Sequence, residues 1–187
     1  MNRFIYVFFI SAVILCLTSC GYSLIKKNEQ TVLKTWSEVE TNLHRRADLI
    51  PELIEFVNNY APDESGLLNN VIKARAETAL IQFTAKDLSD PGAMKAFAEV
   101  QNNLSLLLSK LKHSVERYPD LKANQNYLKV MNRIEGTENR MTVSCVQYNK
   151  AVETFNQSIR KFPNNVTNKL FLHISMKEQL RLHRPTK

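Results

Sequence analysis

Apolar residues recur at steps of three and four along most of the chain, the spacing that lines one face of an α-helix. From about residue 28 the series reads Val32, Trp36, Val39, Leu43, Ala47, Ile50, Ile54, Val57 and Ala61. It passes through Pro51 without losing phase, which fits either a kinked helix or a new helix starting at the proline. APDESG at 61–66 interrupts the series, with Asp63 and Ser65 as candidate caps. Leu68, Val71 or Ile72, Arg75, Ala79 and Phe83 then predict a second helix to about residue 86. DLSDPG breaks the pattern again, and Asp90 ahead of Pro91 reads as an N-cap with proline in the first turn. The third helix carries Met94, Phe97, Gln101, Leu104, Leu108, Leu111, Val115 and Tyr118, and YPD closes it. The fourth, from about 121 to 162, is the most regular: Leu128, Met131, Ile134, Glu138, Met141, Cys145, Tyr148, Val152, Phe155, Ile159 and Phe162. A bend is expected near Gly136, and Pro163 ends the run.

No segment alternates with the period of a strand. Long helices joined by short turns run antiparallel to their neighbours. The predicted class is therefore all-α: an antiparallel up-and-down four-helix bundle, its first and fourth helices long, preceded by an N-terminal signal or anchor segment.

That preceding segment changes the picture from a soluble bundle to a tethered one. MNR supplies a positive charge, and FIYVFFISAVILCL is apolar apart from Ser11, the layout of an export signal. LTSC at 17–20 then places small residues before Cys20 and glycine after it. This resembles the lipobox of bacterial lipoproteins, in which the cysteine thiol takes a lipid and becomes the mature N-terminus. The competing reading is an uncleaved anchor to about residue 25, since residues 4–25 carry no charge and Lys26 and Lys27 follow. Ser19, Cys20, Gly21 and Ser23 suit a membrane core poorly, which favours lipidation. Either way the body is expected in the bacterial cell envelope, outside the cytoplasm. The expected divisions are a signal at 1–19, a tether at 20–27, the bundle at 28–162 and a basic amphipathic tail at 163–187.

Charge sharpens the tail. The formal net charge is +7, and residues 160–187 hold seven Lys/Arg against one Asp/Glu, whereas residues 20–159 balance. The body thus offers no basic face of nucleic-acid size. In the tail, Leu170, Phe171, Ile174 and Leu182 are expected on one apolar side, with Lys169, Lys177, Arg181 and Arg184 around it. Because Pro163 closes the last core helix, the tail is expected to be dispensable for folding.

Two charges fall where apolar residues belong. Arg46 lies close to the first helix's stripe, and Glu138 lies in the fourth helix's seam. Alone each is expensive to bury, so they are expected to meet as a buried network with Asn139 or Arg140 completing it; snorkelling to the rim is the alternative. Cys145 sits on an apolar stripe and reads as a small buried hydrophobe.

The stretch NEQTVLKTWSEVETNLHRRADLIPELIEFVNNYA at 28–61 resembles the opening of the LemA family, through Trp36, Leu43, Arg45, Arg46, Asp48, Leu49, Ile50, Pro51 and Leu53. YPDLKANQNYL at 118–128, TENRM at 137–141, YNKAVETFNQSI at 148–159 and Phe162-Pro163 form a second matching block, with Val71, Ala74 and Arg75 between. The resemblance covers about residues 22–163. It implies an envelope-attached antiparallel helical bundle and no established activity. The basic tail and the lipobox depart from the family pattern.

No catalytic constellation is visible. A di-iron bundle needs Glu-x-x-His pairs, and none occurs; His44, His113, His173 and His183 lack metal-ligand spacing. No phosphate-binding glycine loop or nucleophile elbow is present. The reading is a non-enzymatic, cofactor-free protein that docks an envelope partner. Its alternative is a module that binds anionic lipid or cell-wall polymer through the basic tail.

Overall fold

The computed structural model describes residues 2–81 and 83–183, with side chains from Gly21 onward. Every regular element among them is helical. In order they are α1 (Asn2–Tyr60), α2 (Ser65–Leu80), α3 (Pro91–Val115), α4 (Pro119–Ala123), α5 (Gln125–Arg160) and α6 (Asn164–Thr167). Single 3-10 turns stand at Pro62–Glu64 and Asp87–Ser89, and a wide π turn at Asn168–Leu172 follows α6. α1 packs along α5 and α2 along α3.

The predicted caps are partly realised. Asp90 accepts hydrogen bonds from the backbone N–H groups of Gly92 and Ala93, and Asn124 does the same for Asn126 and Tyr127. Neither Asp63 nor Ser65 caps α2; its N-cap is Glu64, which makes no side-chain cap. Glu64 instead pairs with Arg117 beyond α3. α2 ends at Leu80, short of the expected residue 86, and Leu88 in the turn at Asp87–Ser89 is fully buried.

Pro51 neither breaks α1 nor starts a new helix. A proline at this position leaves the carbonyl of Ala47 without its usual i+4 donor. Arg75 of α2 supplies one, donating from Nε to Ala47 O at 2.9 Å. The helix stays continuous because a neighbouring helix satisfies the carbonyl that the proline strands. Arg75→Met should therefore cost about 1–2 kcal/mol. In a Pro51→Ala background, where the alanine N–H takes the carbonyl back, the same change should cost close to nothing. Urea melts of the four proteins measure that coupling.

The core falls into two clusters. One gathers Ile25, Trp36, Leu43, Phe97, Met141, Tyr148 and Phe155 with their neighbours, and the other Ile50, Leu53, Val71, Leu104, Leu111, Tyr127 and Ile134 with theirs. On α1 the first cluster ends at Leu43 and the second begins at Leu49; on α3 they part between Ala98 and Leu104, and on α5 between Ile134 and Met141. The first cluster centres on Trp36, whose ring lies 4.8 Å from Phe83, 5.4 Å from Phe97 and 5.2 Å from Tyr148.

Three local features differ from the sequence pattern. Residues 21–27, expected as a tether, are helical, and Ile25 is fully buried in the first cluster. The seam of α1 runs Leu43, Arg46, Ile50, Leu53, Val57, so Arg46 is a seam residue and Ala47 only flanks it. The segment after α6 is not a loose tail: residues 173–183 run back over the helices without regular secondary structure, and Leu180 is 1% exposed.

Candidate functional site

Between the two apolar clusters lies a polar layer. Arg46 is 0% exposed and reaches α3, where Nη1 donates to Ser105 Oγ and Nη2 to Gln101 Oε1, both at 2.6 Å. Gln101 and Ser105 are four residues apart and so share one face of α3. One turn earlier on α1, Asn42 donates from Nδ2 to Ser144 Oγ on α5 at 3.3 Å. Thr137 of α5, also buried, receives Arg140 Nη2 on its hydroxyl and donates to Arg133 O. Arg46 Nε is buried without a hydrogen-bond partner among the described residues.

Burial pulls the Arg46 guanidinium down to about 10, and the nearby Glu138 and Cys145 push the other way. It stays a cation at neutral pH. Glu138 is half-buried and close enough for its charge to favour that cation. Gln101 and Ser105 hold the guanidinium because Arg46 faces α3 across the bundle. Glu138 lies near it, Arg140, itself exposed, reaches Thr137 of the same layer, and Asn139 is exposed. Gln101 was legible as a polar residue on an apolar stripe, the same signal that singled out Glu138.

Cys145 is buried beside this layer, and its thiol is pushed up to about 11 from 9.0 by desolvation. A thiol that ionises later in the folded state than in the unfolded chain makes the fold less stable as pH rises between those values. Burial raises the Tyr127 hydroxyl from 10.0 to about 12, with the same sign. Stability should therefore decline from about pH 9 upward. At pH 8 a thiol reagent should modify Cys145 only as fast as the fold opens, which mass spectrometry of the Cys145 peptide would follow.

The second concentration of polar groups is a set of asparagine clamps on the C-terminal strap. Asn156 of α5 accepts from Lys177 N at 2.9 Å and donates to Lys177 O at 2.8 Å. Asn149, seven residues earlier on the same face, does the same for Leu180, with both bonds at 2.8 Å. Asn102 of α3 accepts from His183 N at 2.7 Å. Tyr148 donates to Glu178 O, and Glu178 N donates to Leu88 O. The clamped residues come at steps of three, so the amides read an extended backbone rather than its side chains.

This arrangement disperses the predicted basic face. Lys177 is 8% exposed, its Nζ donates to Ser89 Oγ at 3.0 Å, and burial lowers its pKa. Lys169 and Arg181 are exposed, and Arg184 lies outside the described residues. Ile174 and Leu182 pack on the first core cluster while Leu170 and Phe171 face outward. The side chain of Cys20 lies outside the described residues. Among the described residues no group of His, Cys, Asp and Glu is placed to hold a metal, and no helix is long and apolar enough to cross a membrane.

These features define an all-helical protein with a polar layer across its core and a strap clamped over its long helices. The chain belongs to the LemA family, whose model matches residues 35–186. That match runs through the strap, so the expectation that the family pattern stops near residue 163 is corrected. It is similar to the magnetosome protein MamQ 2 of Paramagnetospirillum magneticum, 27% identical over 159 residues, covering 76% of this chain and 58% of that protein. MamQ of Magnetospirillum gryphiswaldense is 25% identical over 143 residues, covering 68% of this chain and 53% of its own length. Protein LemA of Metamycoplasma hominis is 23% identical over 150 residues, covering 80% and 64%. The chain therefore spans between half and two thirds of the length of these relatives.

Proposed function

We propose that this chain is a non-enzymatic, membrane-tethered protein of the bacterial envelope that docks a partner protein on its helical body outside the cytoplasm. The body is an antiparallel four-helix bundle of α1, α2, α3 and α5. The observation that carries the reading is that Ile25, just past the apolar N-terminal run on α1, is already fully buried in the body. A lipid on Cys20 or the uncleaved run would therefore hold the packed helices close to the membrane. The inner polar groups add support, because Arg46, Gln101, Ser105, Asn149 and Asn156 are committed to one another or to the strap.

Lipidation at Cys20 is part of this proposal. Cleavage ahead of Cys20 retains Gly21 and Ile25, both buried in the body. Intact mass of protein from its native membrane should give a chain beginning at Cys20 with added acyl mass. A species beginning at Met1 without it would replace the lipid by an uncleaved helix.

Docking is tested by photocrosslinking in those membranes from the outward-facing Val143 and Val146 of α5 and from Lys34 of α1. A partner gives discrete adducts from neighbouring positions on one face. Protein that remains in the membrane yet gives no adduct from any face would overturn the docking role.

A further inference from the structure

At the end of the body nearest the N-terminal run, large apolar side chains point outward. Phe162 is 78% and Phe171 64% exposed, and Val166 and Leu170, four residues apart on one helical face, are exposed with them. Beside them on α1, Tyr22 and Leu24 are exposed as well. The two groups are neighbours because α6 lies against the start of the packed part of α1. A Cβ added to Gly21 would stand 2.8 Å from Asn164 Oδ1 and 3.1 Å from Thr167 Oγ1. The inward side of this turn needs Asn164 and Thr167, both buried. Its outward side has no such demand and could have been polar; a cluster of exposed aromatic and aliphatic groups marks a contact surface.

Positive charge predominates around the cluster. No Asp or Glu occurs from Thr154 to Lys177, or from Gly21 to Asn28, while Lys27, Arg160, Lys161 and Lys169 are all exposed there. Glu29, which borders the second stretch, is paired with Lys26. Exposed apolar groups among an excess of cations match the boundary between anionic headgroups and acyl chains.

We propose that this end of the body is a bilayer-contact surface. Phe162, Val166, Leu170 and Phe171 enter the headgroup boundary of the membrane that holds the N-terminal segment, and the surrounding lysines and arginine lie on anionic headgroups. The inference rests on the tethered reading and deepens it. A single helix or lipid leaves the body free to spin and tilt; a second contact beside it fixes which face meets a partner. Of the basic residues expected from the sequence Lys169 takes part, joined by Lys27, Arg160 and Lys161, whereas Lys177 is buried.

The test uses the full chain in vesicles of phosphatidylcholine with phosphatidylglycerol, with or without brominated acyl chains, which quench tryptophan at the bilayer. The native Trp36 is 4% exposed inside its aromatic cluster and gives a constant background. Phe171→Trp should add emission that is blue-shifted and lost in brominated vesicles. Tyr60→Trp, about 58 Å away along α1 at 1.5 Å per residue, should add emission that bromine leaves unchanged. Adding Lys161→Glu and Lys169→Glu to Phe171→Trp should restore the quenched emission. All these positions are exposed, so the variants should melt with the parent. Sedimentation of the same vesicles after carbonate washing reports the tether separately. Protein that stays with the vesicles while Phe171→Trp emission ignores bromine overturns the contact but not the tether. Emission that ignores bromine yet shifts with protein density assigns the cluster to a second copy, which also overturns it.

Discussion

Gln101→Leu should destabilise the fold by about 2–4 kcal/mol. Arg46 is fully buried, and Gln101 Oε1 is one of its two described hydrogen-bond acceptors. Removing that acceptor leaves a desolvated cation whose Nε has no hydrogen-bond partner among the described residues, held by Ser105 and the charge of Glu138. Arg46→Met alone should cost a similar amount by a different route, since it orphans the Gln101 amide instead. Together the two changes should recover most of the loss: two apolar side chains of similar size need no hydrogen bonds, and Ser105 can bond its own helix. Glu138→Gln should cost less, about 1 kcal/mol, because a half-buried carboxylate interacts through partly solvated space. A double-mutant cycle by urea melts separates these contributions. Additive losses at 46 and 101 would show that the guanidinium does not depend on α3.

The strap should matter nearly as much, against the expectation of a dispensable tail. Leu180→Ala should cost about 2–3 kcal/mol, the range for a fully buried leucine whose surroundings collapse in part. The loss has a ceiling that a core leucine such as Leu104 lacks. Once the strap's docking energy is exhausted it peels away, and further damage to it costs nothing. Asn149→Ala and Asn156→Ala should each weaken the same clamp, and either one combined with Leu180→Ala should fall short of additivity. Hydrogen exchange gives the direct readout. The amides of Lys177, Leu180 and His183 should lose protection together in any of these variants while those of α5 stay protected. Losing protection one residue at a time would mean that the strap is held by independent contacts.

The helices were legible because their signal is periodic. Ile134, Met141, Tyr148, Val152 and Phe155 announced α5, and Asp90 announced the cap of α3. Arg46 was visible as a charge near a stripe. Its partners were harder, because pairing across a bundle depends on which helices face each other, and that is not written in any one helix. The cue was Gln101, a polar residue in step with Leu104 and Leu108. The strap was missed for a deeper reason. An extended segment held by side-chain amides has no helical period, and Asn149 and Asn156 look like ordinary polar surface until the backbone they clamp is in place. The role of Arg75 was hidden likewise, since it answers a carbonyl that Pro51 frees on another helix.

The tether is the point on which the functional account turns, and treatment of intact cells or spheroplasts with a membrane-impermeant protease tests it most directly. The body should be digested from outside while the anchored N-terminal remnant stays in the membrane through a carbonate wash. A body protected until the membrane is broken, or a chain that carbonate releases whole, would contradict it.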